Sequence, residues 1–349
     1  MILDHLRVPI VLAPLAGGPT TPELVTAVGE AGAFGFLAAG YLEPSALEQA
    51  IADVRARTSR PFGVNVFSRP SGPADPAEYG PYVDALRQWA GSHDLALGEP
   101  AFDDDGYDEK LELLAQDAVP VVSFTFGMPS PEDIDRLRAA GSEVWVTVTS
   151  PGDAAVAALG GADALVVQGV EAGGHRGGFD DADQACAWSL LPLLELVADA
   201  GVPLVAAGGL AAGAAIAAVL AAGASAAQLG TAFLLCPEAG TAAAYRDALR
   251  GGLEPTRLTR AFTGRTARGI VNRFMDEHDA EAVAAYPEIH HVTQPLRRAA
   301  REAGDASLIN LWAGEAYPQA RELPAAEIVR LLDAETRAAL AGAQARWRP

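Results

Sequence analysis

The segment QGVEAGGHRGG (168–178) concentrates the chemistry of this sequence. Its imidazole, His175, follows an apolar strand-like run and is flanked by glycines rather than set on an apolar helical face. An unperturbed imidazole titrates near about pH 6.5, which suits proton transfer close to neutrality. The neighbouring glycines let a flat ring or a substrate come close. His175 is therefore the expected catalytic residue. His5, His93 and His278 lack such a setting and read as structural or merely exposed.

A second kind of chemistry lies in two glycine loops, AAGGL (206–210) and QLGT (228–231). Without a Cβ, Gly208-Gly209 and Gly230-Thr231 can bring backbone N–H groups against an anion. Each loop runs into a helical or turn segment whose first amides add a favourable dipole. A phosphate is the expected occupant. Lys110 is the only lysine in the chain, so backbone amides at Gly173, Gly174, Gly208, Gly209 and Gly230 would form the anion-binding device.

Other combinations of residues are weaker. His290-His291 are adjacent and lack the carboxylate–histidine spacing of a metal centre, so no metal is expected. Asp103-Asp104-Asp105 reads as a solvated loop, and Cys186 and Cys236 read as small buried apolar residues. Arg265 and Arg268, in TGRTARG (263–269), fit either an anchor for an anionic substrate or a surface role.

These loops need elements to hold them. Eight short apolar runs recur along the chain: 10–14, 34–40, 62–67, 121–126, 143–149, 164–169, 203–209 and 226–234. Most are continuous rather than alternating, as in parallel strands buried on both faces. Helical stretches separate them, opened by Thr21-Pro22 and Ser130-Pro131 and closed by glycine. Eight consecutive units predict a closed (β/α)8 TIM barrel over an open sheet. In such a barrel ligands bind at the C-terminal strand ends, where the glycine loops and QGVEAGGHRGG fall. Residues 1–250 are read as the barrel. Residues 251–349 are read as a mainly helical elaboration packing on it, with a closing C-terminal helix (325–341). Residues 68–118 are read as an enlarged loop with one or two helices.

Composition bounds the partners. Of the 349 residues, 45 are acidic and 25 are Lys or Arg, a net charge of −20. That field repels phosphate backbones and anionic lipid, so no nucleic acid and no membrane partner is expected. No apolar run reaches transmembrane length and no secretory leader is evident, which predicts a cytoplasmic location. A homodimer is compatible with these features.

The residues in order resemble the nitronate monooxygenases, formerly called 2-nitropropane dioxygenases. The likeness rests on APLAGGPTTPEL near the start, Asn65 after the third strand, QGVEAGGHRGG, AAGGL and AAQLGTAFL. It covers about residues 8–236. The resemblance implies an FMN-dependent oxidoreductase that converts alkyl nitronates, such as propionate 3-nitronate, with O2 into a carbonyl compound and nitrite. It implies that Asn65 and Gln168 hydrogen-bond the flavin and that Gly173 lines it. The phosphate would rest on Gly209 and Gln228-Leu229-Gly230-Thr231, and Pro14-Leu15 would run along the reactive edge. His175 would take the α-proton of a neutral nitroalkane, or position and charge-balance an anionic nitronate. Leu15 departs from the methionine common in the family, with little change in volume. The alternatives are a flavin-dependent enoyl-acyl carrier protein reductase, an NAD(P)H:quinone reductase, or a non-catalytic flavin-binding barrel.

Overall fold

The computed structural model describes residues 1–181, 187–252 and 254–347. Cys186 lies outside the described residues. Eight parallel strands close into a barrel: β1 (Ile10–Leu12), β2 (Phe34–Ala38), β3 (Gly63–Phe67), β4 (Val121–Thr125), β5 (Glu143–Val148), β6 (Ala164–Gln168), β8 (Leu204–Ala207) and β9 (Ala226–Leu229). Closure is made by β1 against β9, with Leu12 opposite Leu229. All eight predicted runs become strands, because each buries both of its faces. The short strand β7 (Gly174–His175) lies outside the barrel.

One face of these strands fills the barrel and the other meets the helices. Inside, Phe34, Phe36 and Trp145 form an edge-to-face and tilted cluster, with ring centroids 5.2 to 5.8 Å apart. A Cβ on Gly63 would lie 2.4 Å from the Phe36 ring, so glycine there is what lets that ring cross the barrel. This aromatic plug closes the lower part, leaving the upper strand ends free to hold a ligand.

The surrounding helices are α1 (Pro22–Glu30), α2 (Pro44–Arg57), α4 (Tyr107–Gln116), α5 (Pro131–Ala140), α6 (Pro151–Leu159), α7 (Leu190–Leu196) and α8 (Gly213–Ala221). The expected caps are present: Thr21 Oγ1 accepts from Leu24 N at 3.0 Å and Ser130 Oγ from Asp133 N at 3.1 Å. The position after β9 in this ring is filled from the far end of the chain. Helix α12 (Ala325–Arg346) packs against α8 and α1, burying Ile328, Val329 and Leu332 in the barrel's outer core. A Cβ at Gly213 would lie 2.3 Å from that of Glu335, so α12 docks by close approach at the start of α8.

A second core, built mostly from the chain between β9 and α12, stands over the strand ends. It combines α3 (Pro76–Ser92) with α9 (Ala243–Gly251), α10 (Arg273–His278) and α11 (Glu288–Ala303), around Phe262, Phe274, Ile289 and Leu296. It also holds strands β10 (Thr256–Thr259) and β11 (Ala267–Ile270), which form an antiparallel sheet with β7. The sequence offered no sign of this sheet. Among the described residues, no helix is long and apolar enough to cross a membrane.

Candidate active site

A cavity of about 510 Å³ lies between the strand ends and the second core. It has three regions, each built by different elements.

At one end are the loops after β8 and β9. Gly208 and Gly209 adopt φ values of 122° and 65°, the left-handed side that glycine alone takes without strain. Gly209, Leu210, Gly230 and Thr231 all line the cavity. Among the described residues, their N–H groups donate to no protein acceptor. Backbone donors left without a protein partner at a cavity wall suit an anion. A phosphate fits here.

In the middle are Pro14, Leu15, Asn65, Gln168, Gly173, Gly174, Gln228 and Leu229. Asn65 Nδ2 faces Ser123 Oγ and Thr125 Oγ1, both at 3.0 Å, which leaves its Oδ1 for a ligand. Gln168 is more committed. Its Oε1 accepts from Gly177 N at 2.9 Å and its Nε2 donates to His175 O at 3.1 Å, so it also fixes the segment that bears the imidazole. A Cβ at Gly173 would lie 2.4 Å from Gly314 N, so this glycine also admits the 313–314 backbone.

The third region surrounds His175, which sits in a strand rather than a loop, because β7 pairs with β11. Its Nε2 lies 2.8 Å from Thr263 Oγ1, and the rings of Phe126, Tyr286 and Trp312 stand 5.5 to 5.8 Å away. The near-neutral titration expected of His175 is corrected by this setting. Burial first, then the guanidinium charges of Arg265 and Arg297, push its pKa down to about 3. The imidazole is neutral at pH 7. It carries no charge to set against an anion.

Arg297 lies on α11, whose cavity face carries His290, Gln294, Arg297 and Arg301 at helical spacing. It is buried and, among the described residues, faces no carboxylate within salt-bridge distance; it donates to Thr293 Oγ1 at 3.0 Å and His290 O at 3.0 Å. Burial lowers its pKa only to about 10, so it stays cationic. His290 is pushed down to about 2, by burial and then by Arg297. His291 turns away to Asp103, its Nε2 against Oδ2. Arg265 and Arg268 are both buried, which excludes the surface role. Arg265 lies 4.0 Å over the Phe126 ring, while Arg268 ties Val170 O and Glu315 together. Asp105 departs from the solvated-loop expectation, because it pairs with Lys110.

Two buried neutral imidazoles set a pH dependence of stability. The unfolded chain binds these protons below about pH 6.5 and the folded chain does not until about pH 3 or below. Their contribution is complete above the unfolded value and is lost as pH falls from there. The Tm is expected to drop between about pH 7 and about pH 5. An unchanged Tm across that range would contradict buried, neutral His175 and His290.

The glycine loops, Asn65, Gln168 and the imidazole thus line one cavity. A family model described as "Nitronate monooxygenase" matches residues 2–335. The chain belongs to the nitronate monooxygenase family. A nitronate monooxygenase of Pseudomonas aeruginosa is 40% identical over 344 residues, covering 95% of this chain and 97% of that protein. A probable nitronate monooxygenase of Bacillus subtilis is 35% identical, covering 89% and 90%. Among solved structures, a nitroalkane oxidase from Streptomyces ansochromogenes is 50% identical with a TM-score of 0.94, covering 98% and 99%. FabK from Thermotoga maritima is more distant, at 25% identity and a TM-score of 0.77.

As a nitronate monooxygenase family member the chain shows features that the sequence left hidden. Tyr41, Thr263, Arg297, Arg301 and Trp312 were missed. Two signals were available. Tyr41 directly follows the second strand, where barrel logic places ligand contacts, and His290, Gln294, Arg297 and Arg301 repeat at intervals of four, three and four.

Proposed function

We propose that the protein is an FMN-dependent nitronate monooxygenase acting on an alkyl nitronate or nitroalkane with O2. The observation that carries this reading is the cavity itself, with backbone amides at one end that have no protein acceptor among the described residues, and a neutral imidazole near the buried guanidinium of Arg297 at the other. FMN suits the cavity because Gly209, Leu210, Gly230 and Thr231 would hold its phosphate and Asn65 and Gln168 its ring. When bound, FMN supplies one-electron oxidation of the nitronate, with O2 completing conversion to a carbonyl compound and nitrite.

The residues around His175 divide the remaining work. At neutral pH its imidazole is in the form that accepts a proton. Its low affinity for protons opposes that role, yet the charges that lower it also stabilise a nitronate anion as it forms. Arg297 and Arg265 therefore drive the transfer from the product side. The aromatic rings limit water around the imidazole. Arg297 and Arg301 further suit a substrate that bears a carboxylate, as propionate 3-nitronate does.

That assignment predicts the effect of Arg297→Met. The KM for propionate 3-nitronate should rise about tenfold or more, the worth of a hydrogen bond to a charged group. Ethyl nitronate should be affected less, and flavin content should be unchanged. Equal losses on both substrates would remove the carboxylate from Arg297.

The carrier-protein alternative needs a basic docking patch. Among the arginines between 246 and 301, Arg250, Arg257, Arg260 and Arg273 each face a carboxylate, while the exposed Arg298 and Arg301 have no salt bridge among the described residues. The reading is tested by purifying the protein, recording flavin absorption, and following O2 uptake and nitrite release with propionate 3-nitronate. Folded protein that neither carries nor takes up FMN would sink it. NADPH oxidation without nitronate would instead favour the reductase.

A further inference from the structure

The one lysine of this chain is its most completely enclosed charge. Lys110, on α4, has no solvent exposure. Its ammonium donates to Asp105 Oδ2 at 2.7 Å and to Ala39 O at 3.0 Å. The other carboxylate oxygen, Asp105 Oδ1, accepts from Tyr41 N at 2.8 Å. The pair therefore grips the segment after β2 at two points, on either side of Gly40.

That grip holds an unusual backbone. Tyr41 has φ 68° and Asp105 φ 59°, left-handed values that side-chain-bearing residues rarely take. Such strain persists only where the surroundings over-determine it, and it concentrates at ligand clamps. A buried ion pair is also weak evidence for stability as such, since desolvation offsets its attraction. A slim ammonium reaching two acceptors from separate segments does what arginine, with its broad fork, does poorly.

The conformation it fixes sends the Tyr41 ring into the cavity. The ring stacks on His290 with centroids 4.4 Å apart and planes 7° from parallel, and meets Phe67 edge-on at 5.3 Å. Its hydroxyl accepts from Tyr286 Oη at 3.3 Å. Among the described residues it donates to nothing, so its own proton remains for a ligand. Tyr286 in turn stands 5.8 Å from His175.

We propose that Tyr41 binds the substrate through its hydroxyl, donating to a nitro or nitronate oxygen, and that the buried Lys110–Asp105 pair is its positioning device. This assignment rests on the nitronate reading given above. Tyr41 touches the substrate; Lys110 and Asp105 act through it.

The test uses the FMN-loaded enzyme, with Tyr41→Phe, Lys110→Met and the double variant, and propionate 3-nitronate as the probe. Flavin content, KM and kcat are measured for each. Tyr41→Phe is expected to raise KM about tenfold with full flavin content, as for a lost hydrogen bond to a charged group. Lys110→Met should raise KM comparably in the wild-type background. In the Tyr41→Phe background it should add less than about twofold, because both changes remove the same contact. A merely structural lysine would multiply KM equally in both backgrounds, which would overturn its positioning role. A Tyr41→Phe enzyme with wild-type KM overturns the whole assignment, and that arm decides even where Lys110→Met fails to fold. Wild-type holoenzyme that releases no nitrite overturns the nitronate reading and this assignment with it; active wild type beside an unaltered Tyr41→Phe overturns this assignment alone.

Discussion

His175→Ala is expected to leave flavin bound and to lower turnover of neutral nitroalkanes by about 10²- to 10⁴-fold, the usual worth of a positioned acid or base. The retained flavin follows from the geometry. The imidazole contacts Thr263 Oγ1 and aromatic rings, and the proposed phosphate cradle belongs to the loops after β8 and β9. A preformed nitronate has no α-proton left to remove, so it should lose much less activity. Comparing the nitroalkane with its nitronate in one preparation isolates the proton transfer. Unchanged nitroalkane turnover would refute the base role. The pH profile adds a second signature: with the pKa of His175 pushed down to about 3, the free enzyme should show no acid limb near pH ~6.5.

Gly230→Leu is expected to weaken FMN binding by about 10- to 100-fold, equivalent to about 1–3 kcal/mol of overpacking at a filled site. Gly230 has φ −109°, which other residues adopt, so the backbone itself does not forbid the change. The side chain would start 3.0 Å from Leu15 Cδ2 and 3.5 Å from Ala13 Cβ, where the cavity wall brings these loops together. Reconstitution with FMN, followed by flavin fluorescence, measures the loss. The Tm of the flavin-free protein serves as the control for folding. Normal FMN affinity in this variant would move the phosphate away from the loop after β9.

What the sequence disclosed, and what it hid, divides along sequence separation. The strands were legible because a run such as Gly63–Phe67 buries every residue, and both flanks of a central parallel strand demand apolar side chains. The caps at Thr21 and Ser130 are local too. The glycine cradle could be read because φ values such as that of Gly209 are written into residue type. The His175 environment could not. Its depressed pKa comes first from burial and then from Arg265 and Arg297, far along the chain, and its strand exists only through pairing with Ala267 and Arg268. Asp105 looked like one of three solvated acids, since nothing local tells which of them meets Lys110. Tyr41 stacks on His290 of α11 and meets the hydroxyl of Tyr286, which lies 245 positions further along the chain.

The place of α12 has a consequence for the order in which the molecule is made. Every element of the second core, α3 and the segments between β9 and α12, precedes α12 in sequence, so synthesis delivers every wall of the cavity before the last helix of the surrounding ring. Until residues 325–346 emerge, the faces of α1 and α8 that α12 covers remain bare, although all eight strands have already been made. A nascent chain therefore carries an apolar stripe on the outside of its barrel while its ligand pocket is being completed, the kind of transient surface that chaperones and proteases recognise.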